Sequence, residues 1–179
     1  RAMGRTATGV KGMALRKGDQ IVAGVVVGKD TRQELLTIAE NGYGKRTQVE
    51  HFRAQSRGGK GIINMRITPK TGKVVGAMMV YPTDELILLT SGSKIIRIGI
   101  SDISLVGRAT QGVRLVRLED EQTVVCFDHV PTEAAEAVGA PRSTVPAAEL
   151  DVDDMDVPDD VDEAIDDDVL DDESGENLE

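Results

Sequence analysis

The chain has 179 residues, 40% of them hydrophobic, with two Tyr, two Phe, no Trp and a single cysteine. All 21 Lys and Arg lie at or before Arg142, whereas 17 of the 31 Asp and Glu lie at or beyond Glu149, so a body of net charge +7 is followed by a tail of −17. One cysteine excludes an internal disulfide and a Cys-based zinc site, no apolar run has membrane-spanning length, and no signal peptide is visible. A basic body beside an acidic tail is the informative asymmetry.

The body is repetitive. Arg5-Thr-Ala-Thr-Gly9-Val10, Arg57-Gly-Gly-Lys-Gly61-Ile62 and Arg108-Ala-Thr-Gln-Gly112-Val113 share an arginine, three small or polar residues, a glycine and a β-branched residue, with the glycines 52 and 51 residues apart. Glu34-Leu-Leu-Thr-Ile and Glu85-Leu-Ile-Leu-Leu start 51 residues apart, each with an arginine, Arg46 or Arg97, twelve residues after its glutamate. A period near fifty is the size of a four-stranded propeller blade.

Taken in order, the first unit predicts strands at Gly9–Arg16, Gln20–Val27, Glu34–Ala39 and Lys45–Val49. Turn chemistry lies at Lys17-Gly18-Asp19, and Asn41-Gly42 is a hairpin signal. The second predicts Gly61–Ile67, Val74–Tyr81, Glu85–Thr90 and Lys94–Ile98, and the third only Gly112–Leu118 and Gln122–His129. Ten strands without any sustained helical stripe predict an all-β body of two and a half units. A ring of blades needs more than these, and the chain starts inside a repeat, so a piece of a longer protein is expected. Cys126, in an apolar run, reads as a small core residue. Residues 131–148, rich in Ala, Pro and Thr, read as a linker, and residues 149–179 as a disordered acidic tail.

Clustered positive charge falls between units, at Arg5, Arg53, Arg57, Lys60 and Arg108, and near strand ends, at Lys45, Arg46, Lys94 and Arg97. If units are arranged around an axis, equivalent loops share one rim, which suits duplex DNA bent around the outside through its phosphates. Glycines Gly9, Gly58, Gly59, Gly61 and Gly112 would allow close approach and leave N–H groups for phosphate oxygens. The plainer reading of the same arginines is solvated turn residues. Scarce aromatics disfavour stacking on single strands. Asn41-Gly-Tyr-Gly-Lys-Arg-Thr47 is not a P-loop, because Ala39 and Arg46 stand where Gly and Ser or Thr are required. Tyr43 reads as a turn tyrosine with no acid–base partner in sequence, and His51 and His129 are isolated.

The combination of Arg1-Ala-Met-Gly-Arg-Thr-Ala-Thr-Gly-Val-Lys-Gly12, Glu40-Asn-Gly-Tyr-Gly-Lys-Arg-Thr47 and Ile103-Ser-Leu-Val-Gly-Arg-Ala-Thr-Gln-Gly-Val113 resembles the C-terminal domain family of the bacterial DNA gyrase A subunit, over residues 1–130 and with an acidic tail in the same place. The resemblance implies a six-bladed β-pinwheel whose blades exchange strands, of which this chain holds roughly the last two and a half units. It implies wrapping of duplex DNA in support of ATP-dependent negative supercoiling by a cytoplasmic, nucleoid-associated type IIA topoisomerase, an A2B2 complex of gyrase A and B subunits. It implies no catalytic residue, cofactor or metal in this stretch, with ATP and Mg used by other regions. Candidate DNA-binding residues are then Arg5, Lys45, Arg46, Arg57, Gly58, Gly59, Lys60, Gly61, Lys94, Arg97 and Arg108. Gln55-Ser-Arg-Gly-Gly-Lys-Gly61 resembles the gyrase box, Gln-Arg/Lys-Arg-Gly-Gly-Lys-Gly, with Ser56 in place of a basic residue. The family carries its box in the first blade, so this copy reads as box-like. The C-terminal domain of the topoisomerase IV A subunit, or a propeller used only for protein interaction, is the alternative.

A tethered segment of charge −17 stays at high effective concentration near a basic rim and competes with DNA for the same cations. Truncation after Ala148 should tighten DNA binding at low salt. The two forms should converge at high salt, since screening limits the attraction to about 8 Å at physiological ionic strength. Equal low-salt affinities in a titration of both forms would assign the tail to solubility alone.

Overall fold

Two hairpins of equivalent sequence form the framework. Strand β1 (Glu34–Ala39) turns through Asn41-Gly42 into β2 (Tyr43–Gln48), and β4 (Glu85–Thr90) turns through Ser91-Gly92-Ser93 into β5 (Ile95–Gly99). Tight hairpins need positive φ to match strand twist, supplied by Gly42 at +79° and Ser93 at 59°. Each hairpin ends in one 3-10 turn, Val49–His51 or Ile100–Asp102. The computed structural model describes residues 3–30 and 32–132.

Neither hairpin completes its sheet with strands of its own repeat. β1 pairs antiparallel with β3 (Val74–Val80) from the second repeat, and β4 pairs in the same way with β7 (Val124–Val130) from the third. The register shifts at Ile38/Ala39 in one pair and at Leu89/Thr90 in the other, so even the irregularity repeats. A short β6 (Val113–Arg114) adds to β2, giving a four-stranded sheet ordered β3-β1-β2-β6 beside a three-stranded sheet ordered β5-β4-β7. Alternation brings Leu36 and Ile38 from the first hairpin, and Leu86, Leu88 and Ile98 from the second, into one core with Val80, Ile100, Ile103, Leu115, Val116 and Val124. Burying each large aliphatic side chain contributes about 1.5–3 kcal/mol. The fold is all-β, with strands exchanged between successive repeats, as the sequence led us to expect.

Seven strands, not ten, form among the described residues. Gly9–Arg16 and Gln20–Val27 form no strand, and their apolar side chains face outward, Ile21 at 73% and Val26 at 91% exposure. The exchange explains this. β3 and β7, the counterparts of Gln20–Val27, each pair with the hairpin of the preceding repeat, and for Gln20–Val27 that hairpin would precede residue 1. Gly61–Ile67 also forms no strand, because it crosses its neighbour at a single bond rather than along a ladder. The Arg66 N–H donates to the Thr110 carbonyl at 3.0 Å, as Ala14 N–H does to Gly59 one repeat earlier at 2.9 Å. Gly112–Leu118 contracts to β6 for a related reason, since after Arg114 both Leu115 and Val116 donate to the single Gly42 carbonyl. Cys126 is exposed, not buried. Its register counterpart Gly76, opposite Ile38 as Cys126 is opposite Leu89, is buried against the Phe127 ring of the next repeat, but on β7 no following repeat covers that position among the described residues. The linker and acidic tail expected at 131–148 and 149–179 lie almost entirely outside the described residues.

The repeated glycine has a backbone reason. Gly9, Gly61 and Gly112 all take positive φ, at +90°, +82° and +78°. At Gly112 a Cβ would also sit 2.6 Å from the Gly44 carbonyl oxygen, whereas at Gly9 it would meet nothing within 4 Å. Left-handed backbone costs a side-chain-bearing residue on the order of 1–3 kcal/mol. Gly112→Ala should therefore lose roughly 3–5 kcal/mol, strain plus clash, and Gly9→Ala about 1–3 kcal/mol from strain alone. Denaturant midpoints of the two variants compare them directly, and equal losses would remove the close crossing as a constraint.

Candidate nucleic-acid interface

Three of the cations expected on the rim are internal. Arg46 lies on β2 opposite Leu36, and its Nη1 meets Glu34 Oε2 at 2.7 Å, with both side chains about nine-tenths buried. Its Nε donates to the Ile103 carbonyl at 2.7 Å and its Nη2 to that of Ser101 at 3.4 Å. One guanidinium thus ties the first hairpin to the segment leaving the second. Arg97 repeats the pair with Glu85, again with both partners largely buried. The twelve-residue Glu–Arg spacing is therefore the signature of a buried cross-strand ion pair. Removing one partner of such a pair strands a buried charge and costs about 3–5 kcal/mol.

Lys45 is completely buried. Its ammonium donates to the carbonyls of Gly107, at 2.7 Å, and Arg108, and to Thr110 Oγ1 at 3.3 Å. Burial, with the nearby Arg108 charge adding to it, lowers its pKa from 10.5 to about 8. The amine stays mostly protonated at neutral pH.

The remaining candidates lie at or near the surface. Arg5, Arg57 and Lys60 are exposed, and Gly58, Gly59, Gly61 and Arg108 are half-buried. Each inter-repeat arginine sits in or beside a turn. Ala7 N–H closes one turn on Gly4 at 3.1 Å, Thr110 Oγ1 closes another on Gly107 at 2.9 Å, and the third spans Arg57-Gly58. Arg108 Nη1 also donates to the Ile63 carbonyl at 3.0 Å. Gly58 N–H is already bonded to the Gly12 carbonyl at 2.9 Å, so this glycine offers no spare donor to a phosphate. Lys94 is exposed and ion-paired with Glu119.

A second group of cations escaped sequence reasoning. Lys70, Arg114 and Arg117 line an open groove of about 370 Å³ around Tyr43, together with Glu119, Asp120 and Glu121. Arg114 donates from Nε and Nη2 to the Tyr43 hydroxyl at 3.2 and 2.9 Å, and its guanidinium and the Lys70 ammonium lie 5.5 and 5.8 Å from the ring centre. The recurring arginine pattern could not reveal this group, because it is assembled from β2, the Pro69–Gly72 turn and the third repeat.

Lys45 has a testable titration. Its folded pKa of about 8 lies below the ordinary 10.5, so between those values the unfolded chain holds more protons and stability rises with pH. The wild type should therefore gain stability relative to Lys45→Met as pH climbs from about 8 toward 10.5. Denaturation curves across that window check it, and a constant difference would mean that Lys45 titrates normally.

The sequence matches the family described as DNA gyrase C-terminal domain, beta-propeller, over residues 1–27, 33–80 and 84–125. It is 51% identical over 131 residues to the DNA gyrase A subunit of Lawsonia intracellularis, covering 73% of this chain, and 46% identical over 145 residues to that of Staphylococcus aureus strain MRSA252, covering 81%. The chain spans 16% of the length of each of these relatives. Among solved structures, a DNA gyrase A C-terminal domain superposes with a TM-score of 0.61 at 29% identity, over 73% of this chain and 44% of that one. The C-terminal domain of DNA topoisomerase IV superposes with 0.63 at 24% identity, over 72% and 42%, which is a likeness of fold. With buried Glu–Arg pairs, positive-φ glycines and exchanged strands all recurring at the period of the repeat, the chain belongs to the DNA gyrase C-terminal domain family of β-propellers.

Proposed function

We propose that this chain is the C-terminal part of a gyrase A subunit, binding and bending duplex DNA through phosphate contacts. The observation that carries the reading is the recurrence of an arginine, Arg5, Arg57 or Arg108, at the same place ahead of a positive-φ glycine in three successive inter-repeat segments. Equivalent positions in successive repeats present charge at regular intervals, which suits a continuous backbone and carries no base information. Arg57 and Lys60 within the box-like segment, with Arg5 and Arg108, are the candidate contacts. Gly58, Gly59 and Gly61 shape the segment that carries two of them. Lys45, Arg46 and Arg97 support the interface from within, and Lys94 is held by Glu119.

In this reading the domain serves a type IIA topoisomerase that introduces negative supercoils at the expense of ATP. The complex would be A2B2, cytoplasmic and nucleoid-associated, with strand cleavage, ATP and Mg handled by other regions. The fold alone suits topoisomerase IV equally well; sequence identity of about half to gyrase A relatives favours gyrase. A pure protein-interaction propeller is separated by salt dependence, since phosphate contacts release counterions and protein docking does not follow that law.

Charge reversal at Arg57 and Lys60 should weaken binding to unrelated duplexes equally. For every phosphate interaction removed, the slope of log K against log salt should fall by about one. Affinity and slope both unchanged in the double variant would take the box-like segment off the DNA path.

A further inference from the structure

Lys45 is the largest fully buried side chain among the described residues, and it carries a charge. The repeat itself does not require that charge, because the equivalent place on β5, 51 residues on, is Ile96. Burial also works against it, since desolvation disfavours the ammonium and draws its pKa down. A buried charge that the repeat does without, and that lowers stability, calls for a role other than holding the sheet together.

Its bonds identify that role. All three ammonium protons are directed at one turn, Gly107–Thr110, through the carbonyls of Gly107 and Arg108 and the hydroxyl of Thr110. Thr110 Oγ1 in turn donates to the Gly107 carbonyl at 2.9 Å, so the ammonium and the turn form one closed set of bonds. The next residues are confined as well, because a Cβ on Gly112 would lie 3.3 Å from the Lys45 Cβ. Drawing the two carbonyls inward takes their negative ends away from any anion approaching the turn, and leaves the Arg108 side chain as the charge the turn presents.

We infer that Lys45 is a positioning residue for DNA: it touches no phosphate, but its ammonium sets the Gly107–Thr110 turn in the form that presents Arg108. This rests on the reading that the inter-repeat turns contact the DNA backbone. It also makes the repeats unequal, since a strand lysine shapes the Arg108 turn while the Arg57 turn is held by backbone bonds to residues 12 and 14.

The test is a double-mutant cycle on duplex binding by the full-length protein at fixed salt. Lys45→Met and Arg108→Ala should each weaken binding roughly three- to tenfold, about the worth of one phosphate contact near 0.1 M salt. The double variant should be no weaker than Arg108→Ala alone, whereas Lys45→Met combined with Arg57→Ala should show the product of the separate effects. Lys45→Met should not melt earlier than the wild type at pH 7, which separates positioning from general stability. A second measurement leaves Lys45 in place: raising the pH from 7 to 9 neutralises most of it, Arg108 being the charged group that faces it. Wild-type affinity should fall severalfold over that range and that of Arg108→Ala should stay flat. Multiplicative effects in the Lys45–Arg108 pair, or a wild-type affinity independent of pH, would overturn the inference. If Arg57→Ala weakens binding but Arg108→Ala does not, this turn lies off the DNA and the inference falls alone. If neither does, the DNA-binding reading itself fails.

Discussion

A β-strand with an open edge leaves a row of N–H and C=O groups unpaired, and here each hairpin satisfies that edge with a strand from the next repeat. β1 takes β3 and β4 takes β7, with the same register and the same irregularity. The core, the inter-repeat turns and the crossing at Gly112 all follow from this arrangement. Before it donates that strand, the segment leaving the second hairpin runs back along the sheet of the first. That path brings Leu105 beside Arg46 and Gly112 against Gly44. No repeat is a self-contained unit.

Charge is used in two ways that composition alone does not separate. The exposed Arg5, Arg57 and Lys60 contribute field at the surface, so their worth is set by salt and by what approaches them. The buried Arg46–Glu34 and Arg97–Glu85 pairs contribute geometry. Each ties a carboxylate across its hairpin and Arg46 also binds two carbonyls of a neighbouring segment, so that a displacement of the next repeat would break both of those bonds at once. Lys45 stands between the two uses, with an internal side chain and an effect directed outward.

The fold was largely legible because the hydrophobic alternation of Glu34–Ala39 and Glu85–Thr90, the Asn41-Gly42 turn and the recurring glycines are local signals, and each was placed to within a few residues. Strand exchange was legible only through the family resemblance, since alternation shows that a strand pairs but not with which repeat. For the same reason Gln20–Val27 read as a strand although no hairpin precedes it among the described residues. The interface was less legible. Arg46 and Lys45 on the central strand β2, and Arg97 on the edge strand β5, are polar residues, and nothing local in the sequence says that a carboxylate on the adjacent strand or a turn sixty residues away occupies them. The twelve-residue Glu–Arg spacing held that information. It reads as an ion pair once β1 and β2, or β4 and β5, are known to be adjacent. The Lys70, Arg114 and Arg117 group around Tyr43 is periodic only in part, with Arg117 recurring as Arg66 51 residues earlier.

Strand donation has a consequence for how such a chain is made. During synthesis the β1–β2 hairpin is complete once Gln48 has emerged, but its open edge on β1 is closed only after Val80. At bacterial elongation rates of about 5–20 residues per second, that edge is unpaired for about two to six seconds. Nascent repeats therefore pass through an interval in which the mostly apolar β1 edge is available to any strand nearby, including one from a chain on the next ribosome. The second hairpin meets the same hazard, since β4 is as apolar as β1 and its edge stays open until β7 has emerged. Production of this fold is thus limited by the order in which repeats appear.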